Sequence, residues 1–421
     1  MVMKALMVVI DGMSDRPIRE HGNRTPVELA EIPNMDRIAC EGLCGLMLPL
    51  DVGKRVGSDT AHLAILGYDP YSVYTGRGPI ECAGAGLKLK EGDICLRCNY
   101  ANVEKDEDGN FVVNSRTADQ ISDTGDLEAF ETALNSAAAE IGGAEIIFKN
   151  SQGYRCVLVL RGDDLSPAVS DADPHCDEIL VKEVVPEDGS QEAKNTAKIL
   201  NSFIKKSYSV LNKHPANLKR CQEGKLPANL IIPRGAGCPP SVESFYERWE
   251  LKGSVVAGTG LIKGLGKIMG MNVVDVPGAT GYVDTDFIAK AKAAVREIEK
   301  NDCDFVLLHI EGTDEVSHDR DLWSKVTALE KADDMLGYIM GEIEGREILL
   351  VVLSDHTTST ELGDHTADPA PIVLWNGKFV PDLVSKFTEQ EIYSGGLHRI
   401  FGKDIIPLIL DQTDRAHKFG A

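Results

Sequence analysis

Three acidic residues stand where apolar runs stop: Asp11 after ALMVVI, Asp314 after FVLLHI, and Asp355 after ILLVVL. Histidines accompany two of them, His318 past Asp314 and His356 beside Asp355, and His365 follows. Ser58, in Gly57-Ser58-Asp59-Thr60, adds a hydroxyl just before the helical pattern AHLAILG. Carboxylate, imidazole and hydroxyl form the ligand set for a pair of divalent ions. A metal-bound hydroxyl loses its proton readily and becomes a nucleophile without a dedicated base. Two ions about 4 Å apart can then clamp a phosphoryl group during in-line displacement. The residue types point to two-metal phosphoryl transfer.

Singly, these residues say little. D-x-x-x-H is common on surface helices, a strand-end Asp is an ordinary cap, and Ser58 fits a helix N-cap. Their shared position carries the argument, because open α/β sheets collect chemistry at the carboxyl ends of their strands. Residues far apart in the chain then meet in one site.

The elements that must position them follow from the pattern. Residues 4–10 read as a buried strand, Thr25-Pro26 and Pro33 as helix starts, GLMLPL as a strand, and Ser58 as the start of a helix. Residues 75–264 read differently, as antiparallel strands with a turn at Asp106–Asn110, amphipathic helices at 126–142 and 192–213, and the strand NLIIPRGAG. From about residue 270, strands alternate with helices again, through DFVLLHI, EILLVVLS and APIVLW. The expected fold is α/β. A discontinuous metal domain, residues 1–74 and 265–421, has a mainly parallel sheet flanked by helices, and residues 75–264 form an inserted α+β substrate domain.

A chain of 421 residues has room for two such cores. Its net charge of −22 argues against nucleic acid and anionic membranes as partners, so an anionic substrate would need locally placed cations. The apolar run after Lys4 stops at Asp11, too short for a signal segment or a membrane span. With ten scattered cysteines and no secretory signal, reduced thiols in a cytoplasmic protein are the expectation. Cys95-Leu-Arg-Cys98 has metal spacing but no second pair, and reads as strand interior. His309 reads as core, and His62 fits packing or the site equally well. Homo-oligomerisation stays open.

Longer motifs carry a resemblance: VVIDGMSDRP, GSDTAHLAILGYDPYSVYTGRGPIE, LRCNYA, VSDADPH, HIEGTDEVSHDRD and LSDHTTSTELGDHTADPAP. Together they resemble the alkaline phosphatase superfamily, and within it the archaeal-type cofactor-independent phosphoglycerate mutases, over nearly the whole chain. The resemblance implies one ion held by Asp11, Ser58, Asp355 and His356, and a second by Asp314, His318 and His365. Mn²⁺ is the ion it implies first, with Co²⁺, Mg²⁺ or Zn²⁺ as alternatives. It further implies that 3-phosphoglycerate, a small anionic substrate of glycolysis and gluconeogenesis, passes its phosphate to Ser58. Glycerate then reorients and takes the phosphate back on its 2-hydroxyl. Arg97, Asp171, Arg234 and Lys263 lie in motifs matching substrate-binding ones. One segment departs from the family's pattern: NSRTADQI keeps only Arg116 where several arginines are expected, with Asp119 or Gln120 at a guanidinium position. That departure leaves room for a changed acceptor, such as water in a phosphatase, the alcohol of a homoserine-kinase-like enzyme, or a phosphonate substrate.

Overall fold

Apolar runs become strands in the computed structural model, which describes residues 3–420. In chain order they are β1 (Lys4–Ile10), β2 (Leu43–Leu48), β3 (Ile94–Lys105), β4 (Phe111–Ser115) and β5 (Glu145–Asn150). Next come β6 (Arg155–Arg161), β7 (Leu230–Gly237), β8 (Gly253–Val256), β9 (Asn272–Val274) and β10 (Phe305–Ile310). The last are β11 (Ile348–Leu353), β12 (Thr357–Ser359), β13 (Asp364–Thr366), β14 (Ala370–Trp375) and β15 (His398–Phe401).

The chain divides into two units, Met1–Val73 with Val242–Ala421, and Tyr74–Ser241. The first holds an eight-stranded sheet ordered β15-β2-β14-β11-β1-β10-β8-β9. Only β14 runs against its neighbours, so the sheet is mainly parallel. Leu6, Val8 and Ile10 of β1 join a core with the helices Pro33–Glu41, Phe287–Ile298 and Leu322–Ile343. Met7 and Val9 alternate with them and are just as buried. Such two-faced burial is why these strands read as unbroken apolar runs.

The register brings the strand ends together. Asp11 N donates to Ile310 O, and Ser354 N to Pro371 O, so the segments leaving β1, β10 and β11 share one edge. β2 ends at the same edge, and the loop after it leads to Ser58.

The second unit is α+β. Its five-stranded antiparallel sheet is ordered β4-β3-β6-β5, with β7 also on β3. The helices Thr124–Ala138 and Gln191–Leu211 pack on it around Phe130, Phe148 and Phe203. The Asp106 turn closes as expected, with Asp106 N donating to Asn110 O.

The second boundary lies at 241/242, not at the expected 264/265. β8 pairs in parallel with β10, so its backbone bonds tie it to the first unit's sheet, and the helix Gly260–Ile268 follows. Lys263 therefore belongs to the first unit. Cys95 and Cys98 are free thiols in different clusters. No helix among the described residues is long and apolar enough to cross a membrane.

Candidate metal centre

Asp11, Ser58, Asp355 and His356 converge on one point. His356 Nε2 lies 3.2 Å from Asp11 Oδ1, 3.3 Å from Asp355 Oδ2 and 3.2 Å from Ser58 Oγ. All four side chains are buried. Asp11 Oδ1 and Asp355 Oδ2 accept no hydrogen bond. Burial first, and then the charges of Asp355 and Asp314, push the Asp11 carboxyl well above its ordinary range. Neighbouring buried carboxylates with bare oxygens call for a cation.

The second cluster forms beside it. His318 Nε2 lies 3.3 Å from Asp314 Oδ2, His365 Nε2 lies 3.3 Å from Asp314 Oδ1, and the two Nε2 atoms are 3.1 Å apart. Asp314 and His318 share the short helix Gly312–His318, where a spacing of four puts both on one face. His365 stacks on His356 with ring centres 3.8 Å apart, and Asp314, His356 and His365 also form a group tight enough for one ion. Burial raises the Asp314 carboxyl, but the bonds from His318 and His365 outweigh it and hold it well below the usual range. The same bond to Asp314 lifts His318 to about 9. Burial pushes His356 down to about 4.

Hydrogen bonds fix which nitrogen of each ring is bare. His318 Nδ1 meets Gly363 O at 2.9 Å, and His365 Nδ1 meets Val56 O at 2.7 Å. A carbonyl can only accept, so both Nδ1 atoms carry protons. His356 Nδ1 meets Thr358 Oγ1 at 3.0 Å, and that hydroxyl gives its own proton to Asp314 Oδ1. In their neutral forms all three rings turn a bare Nε2 to the centre, as metal-binding histidines do. Donor set, bare nitrogens and bare oxygens together fit a pair of divalent ions.

Neighbouring segments hold these groups in place. Gly12 adopts a positive φ of 58°, and a Cβ there would lie 2.5 Å from Thr358 Oγ1 and 2.8 Å from Asp314 Oδ1. Only glycine fits a left-handed turn that close to the site. Buried Lys325 donates to Asp15 Oδ2 at 3.1 Å and to Thr358 O at 2.8 Å, joining the segment after β1 to the one after β11.

The expected substrate residues separate. Arg97, Asp171 and Arg234 belong to the second unit and Lys263 to the first, where it pairs with Asp275 at 2.9 Å. In the second unit Arg97 is half-buried among Arg77, Arg155, Arg234 and Glu81. Burial pulls it down to about 9, helped by the neighbouring guanidinium of Arg77. Asp173 takes a two-pronged contact from Arg116, at 2.8 and 2.7 Å, and an ion pair from Arg234 at 3.1 Å. Asp171 Oδ1 accepts from Gly235 N at 2.7 Å. Arg77, Arg155 and Asp173 were not among the expected substrate residues. For Arg155 the signal lies in pairing, which sets it opposite Asn99, two residues along β3 from Arg97, itself opposite Arg234. Asp119 and Gln120, with Ala118, form a turn of consecutive positive-φ residues, both side chains exposed.

His309 was also missed as a site residue. It is fully buried, as a core residue should be, yet its Nε2 lies 3.1 Å from Asp11 Oδ2. His62 is buried too, with Nδ1 2.8 Å from Ser58 O.

Comparison with known proteins gives the family. Residues 3–412 match the Metalloenzyme superfamily. The 2,3-bisphosphoglycerate-independent phosphoglycerate mutase 1 of Methanocaldococcus jannaschii is 50% identical over 418 residues, 99% of each chain. A solved structure of a Pyrococcus horikoshii protein has a TM-score of 0.83 at 35% identity, with 100% of both chains covered. The cofactor-independent phosphoglycerate mutase of Thermoplasma acidophilum has a TM-score of 0.65 at 29% identity, covering 97% of this chain and 100% of its own.

Proposed function

We propose a residue-level mechanism for a chain that belongs to the 2,3-bisphosphoglycerate-independent phosphoglycerate mutases of the Metalloenzyme superfamily. It interconverts 3-phosphoglycerate and 2-phosphoglycerate with Ser58 as nucleophile. The observation that carries this reading is the convergence of His356 Nε2, Ser58 Oγ and the unpartnered oxygens Asp11 Oδ1 and Asp355 Oδ2 on one point. Asp11, Ser58, Asp355 and His356 would hold one divalent ion, and Asp314, His318 and His365 the other. When bound, these ions lower the pKa of the serine hydroxyl and neutralise charge on the phosphoryl oxygens. Mn²⁺ suits the mixed carboxylate and imidazole donors, with Co²⁺, Mg²⁺ and Zn²⁺ as alternatives.

The Ser58 hydroxyl gives up its proton, and Oγ attacks the phosphorus of 3-phosphoglycerate. The new Oγ–P bond forms as the bond from phosphorus to the 3-oxygen breaks, and that oxygen leaves as a hydroxyl, taking up one proton in place of the one Ser58 gave up. Glycerate turns within the site, its 2-hydroxyl gives up its proton and the 2-oxygen attacks the phosphoserine; the Oγ–P bond breaks and Oγ takes up a proton, giving 2-phosphoglycerate and free Ser58. In the first unit, Lys263 suits an anion; in the second unit, Arg77, Arg97, Arg155 and Arg234 suit a carboxylate or a phosphate, with Asp171 and Asp173 orienting that cluster. This cluster supplies the cationic surface that NSRTADQI lacks, which favours the mutase over a changed acceptor. We place the protein in the cytoplasm, where phosphoglycerates are metabolised.

The test is Ser58→Ala. It should form no 2-phosphoglycerate and lack the phosphopeptide that mass spectrometry finds at Ser58 in wild-type protein quenched during turnover. Retention of even a few per cent of turnover would replace this mechanism with direct transfer.

A further inference from the structure

We propose that His309 is the positioning residue for Asp11, selecting which carboxylate oxygen Asp11 offers to the metal centre. The inference rests on the reading that Asp11 holds an ion. His309 sits at the end of β10, opposite Val9, with no exposed surface. Its Nε2 lies 3.1 Å from Asp11 Oδ2. Its Nδ1 makes no hydrogen bond and stands 3.7 Å from Glu311 Oε2.

With an ion bound, Asp11 is ionised and its carboxylate can only accept, so the proton of His309 lies on Nε2 and points at Asp11. This is the opposite tautomer to that of His318, His356 and His365, whose Nδ1 atoms carry the proton. Those three rings present lone pairs to the centre, whereas His309 presents a donor. With Oδ2 of Asp11 capped, Oδ1 is left without a hydrogen bond, facing His356 Nε2 at 3.2 Å. His62 packs edge-on against the His309 ring, with centres 4.9 Å apart, and keeps the donor aimed.

Asp11, His309 and Glu311 are also close enough to be considered as a third cation site. The ring geometry argues otherwise. Asp11 lies against one ring nitrogen and Glu311 against the other, so an ion on Nδ1 would sit away from the Asp11 oxygen that His309 touches.

The test compares His309→Gln with His309→Asn in the metal-stripped full chain, titrated with Mn²⁺ by calorimetry. A glutamine amide nitrogen reaches about as far as Nε2, whereas an asparagine stops near Nδ1, so similar polarity is paired with different reach. Wild type should bind two ions. His309→Asn should weaken one step about 10- to 100-fold, the usual effect of losing a partner behind a ligand, and leave the other within about twofold. His309→Gln should recover most of the loss, and Asp11→Ala should abolish the same step. Thermal unfolding of the metal-free variants reports packing separately.

Two tight sites in His309→Asn, equal to wild type, would overturn the inference and leave the metal reading intact. Equal losses in the Asn and Gln variants, with matching drops in metal-free stability, would make His309 a packing residue and overturn it too. A third ion in wild type, lost in both variants, would make His309 a ligand instead. A wild type that binds no Mn²⁺ would remove the metal reading and this proposal together.

Discussion

The residues that matter most here are defined by which of their atoms are bare. Three imidazoles give their Nδ1 protons to Gly363, Val56 and Thr358 and keep Nε2 for the centre. Gly12 is as necessary as any ligand, because a methyl group there would collide with Thr358 and Asp314. Gly12→Ala should therefore lose at least tenfold in Mn²⁺ affinity while keeping its far-ultraviolet circular dichroism; unchanged affinity would show that the turn yields. Lys290 makes a second residue-level prediction. It is fully buried on the helix Phe287–Ile298 without a hydrogen-bond partner. Burial pulls its ammonium from 10.5 down to about 8, against the pull of Glu311, with Lys263 adding to the fall. Between those two values the unfolded chain holds more protons than the folded one, so wild-type stability rises with pH there. Below pH 8 the folded state carries the full penalty, on the order of 3 kcal/mol for a shift of this size. Lys290→Met should raise the melting temperature at pH 7, and the gain should shrink as pH rises from 8 toward 10.5. A gain that persists at pH 10.5 would point to packing instead.

At the scale of elements, the sequence was most legible where an apolar run ends in a charge. β1, β10 and β11 are announced by composition, and their register places Asp11, Asp314 and Asp355 at one edge. The Asp314–His318 spacing needed only a helical turn to be read correctly. His309 was hidden because it lies inside the apolar run FVLLHI, where the strand pattern gives no hint of a polar neighbour. Arg77 and Arg155 were hidden because they meet Arg97 through sheet register and helix packing, which spacing along the chain does not encode. The 264/265 boundary failed for a related reason: β8 is only four residues long, and its parallel partner lies far along the chain. Lys325 was likewise silent, a helix residue whose ammonium ties Asp15 to Thr358. Removing one partner of a buried ion pair leaves the other uncompensated, at about 3–5 kcal/mol. Lys325→Ala should lose that much in urea unfolding and weaken Mn²⁺ binding as the segment carrying Thr358 loosens. A loss under about 1 kcal/mol would show that the Thr360 contacts of Asp15 suffice without the lysine.

The whole molecule joins an acidic chain to two local concentrations of positive charge. A net charge of −22 opposes polyanionic partners through long-range repulsion, yet the second unit gathers Arg77, Arg97, Arg155 and Arg234 around Glu81 and Asp173. In the first unit, bound divalent ions would offset the buried carboxylates. A phosphoglycerate mutase takes a small anion and must keep it through a reorientation. A phosphatase needs only to admit water, whereas a mutase must hold glycerate until phosphate returns to it. The most direct test of the account is therefore the ratio of 2-phosphoglycerate to free phosphate formed from 3-phosphoglycerate by the Mn²⁺-loaded protein. The account predicts a clear excess of 2-phosphoglycerate. Free phosphate as the main product, or no reaction with metal bound, would contradict it.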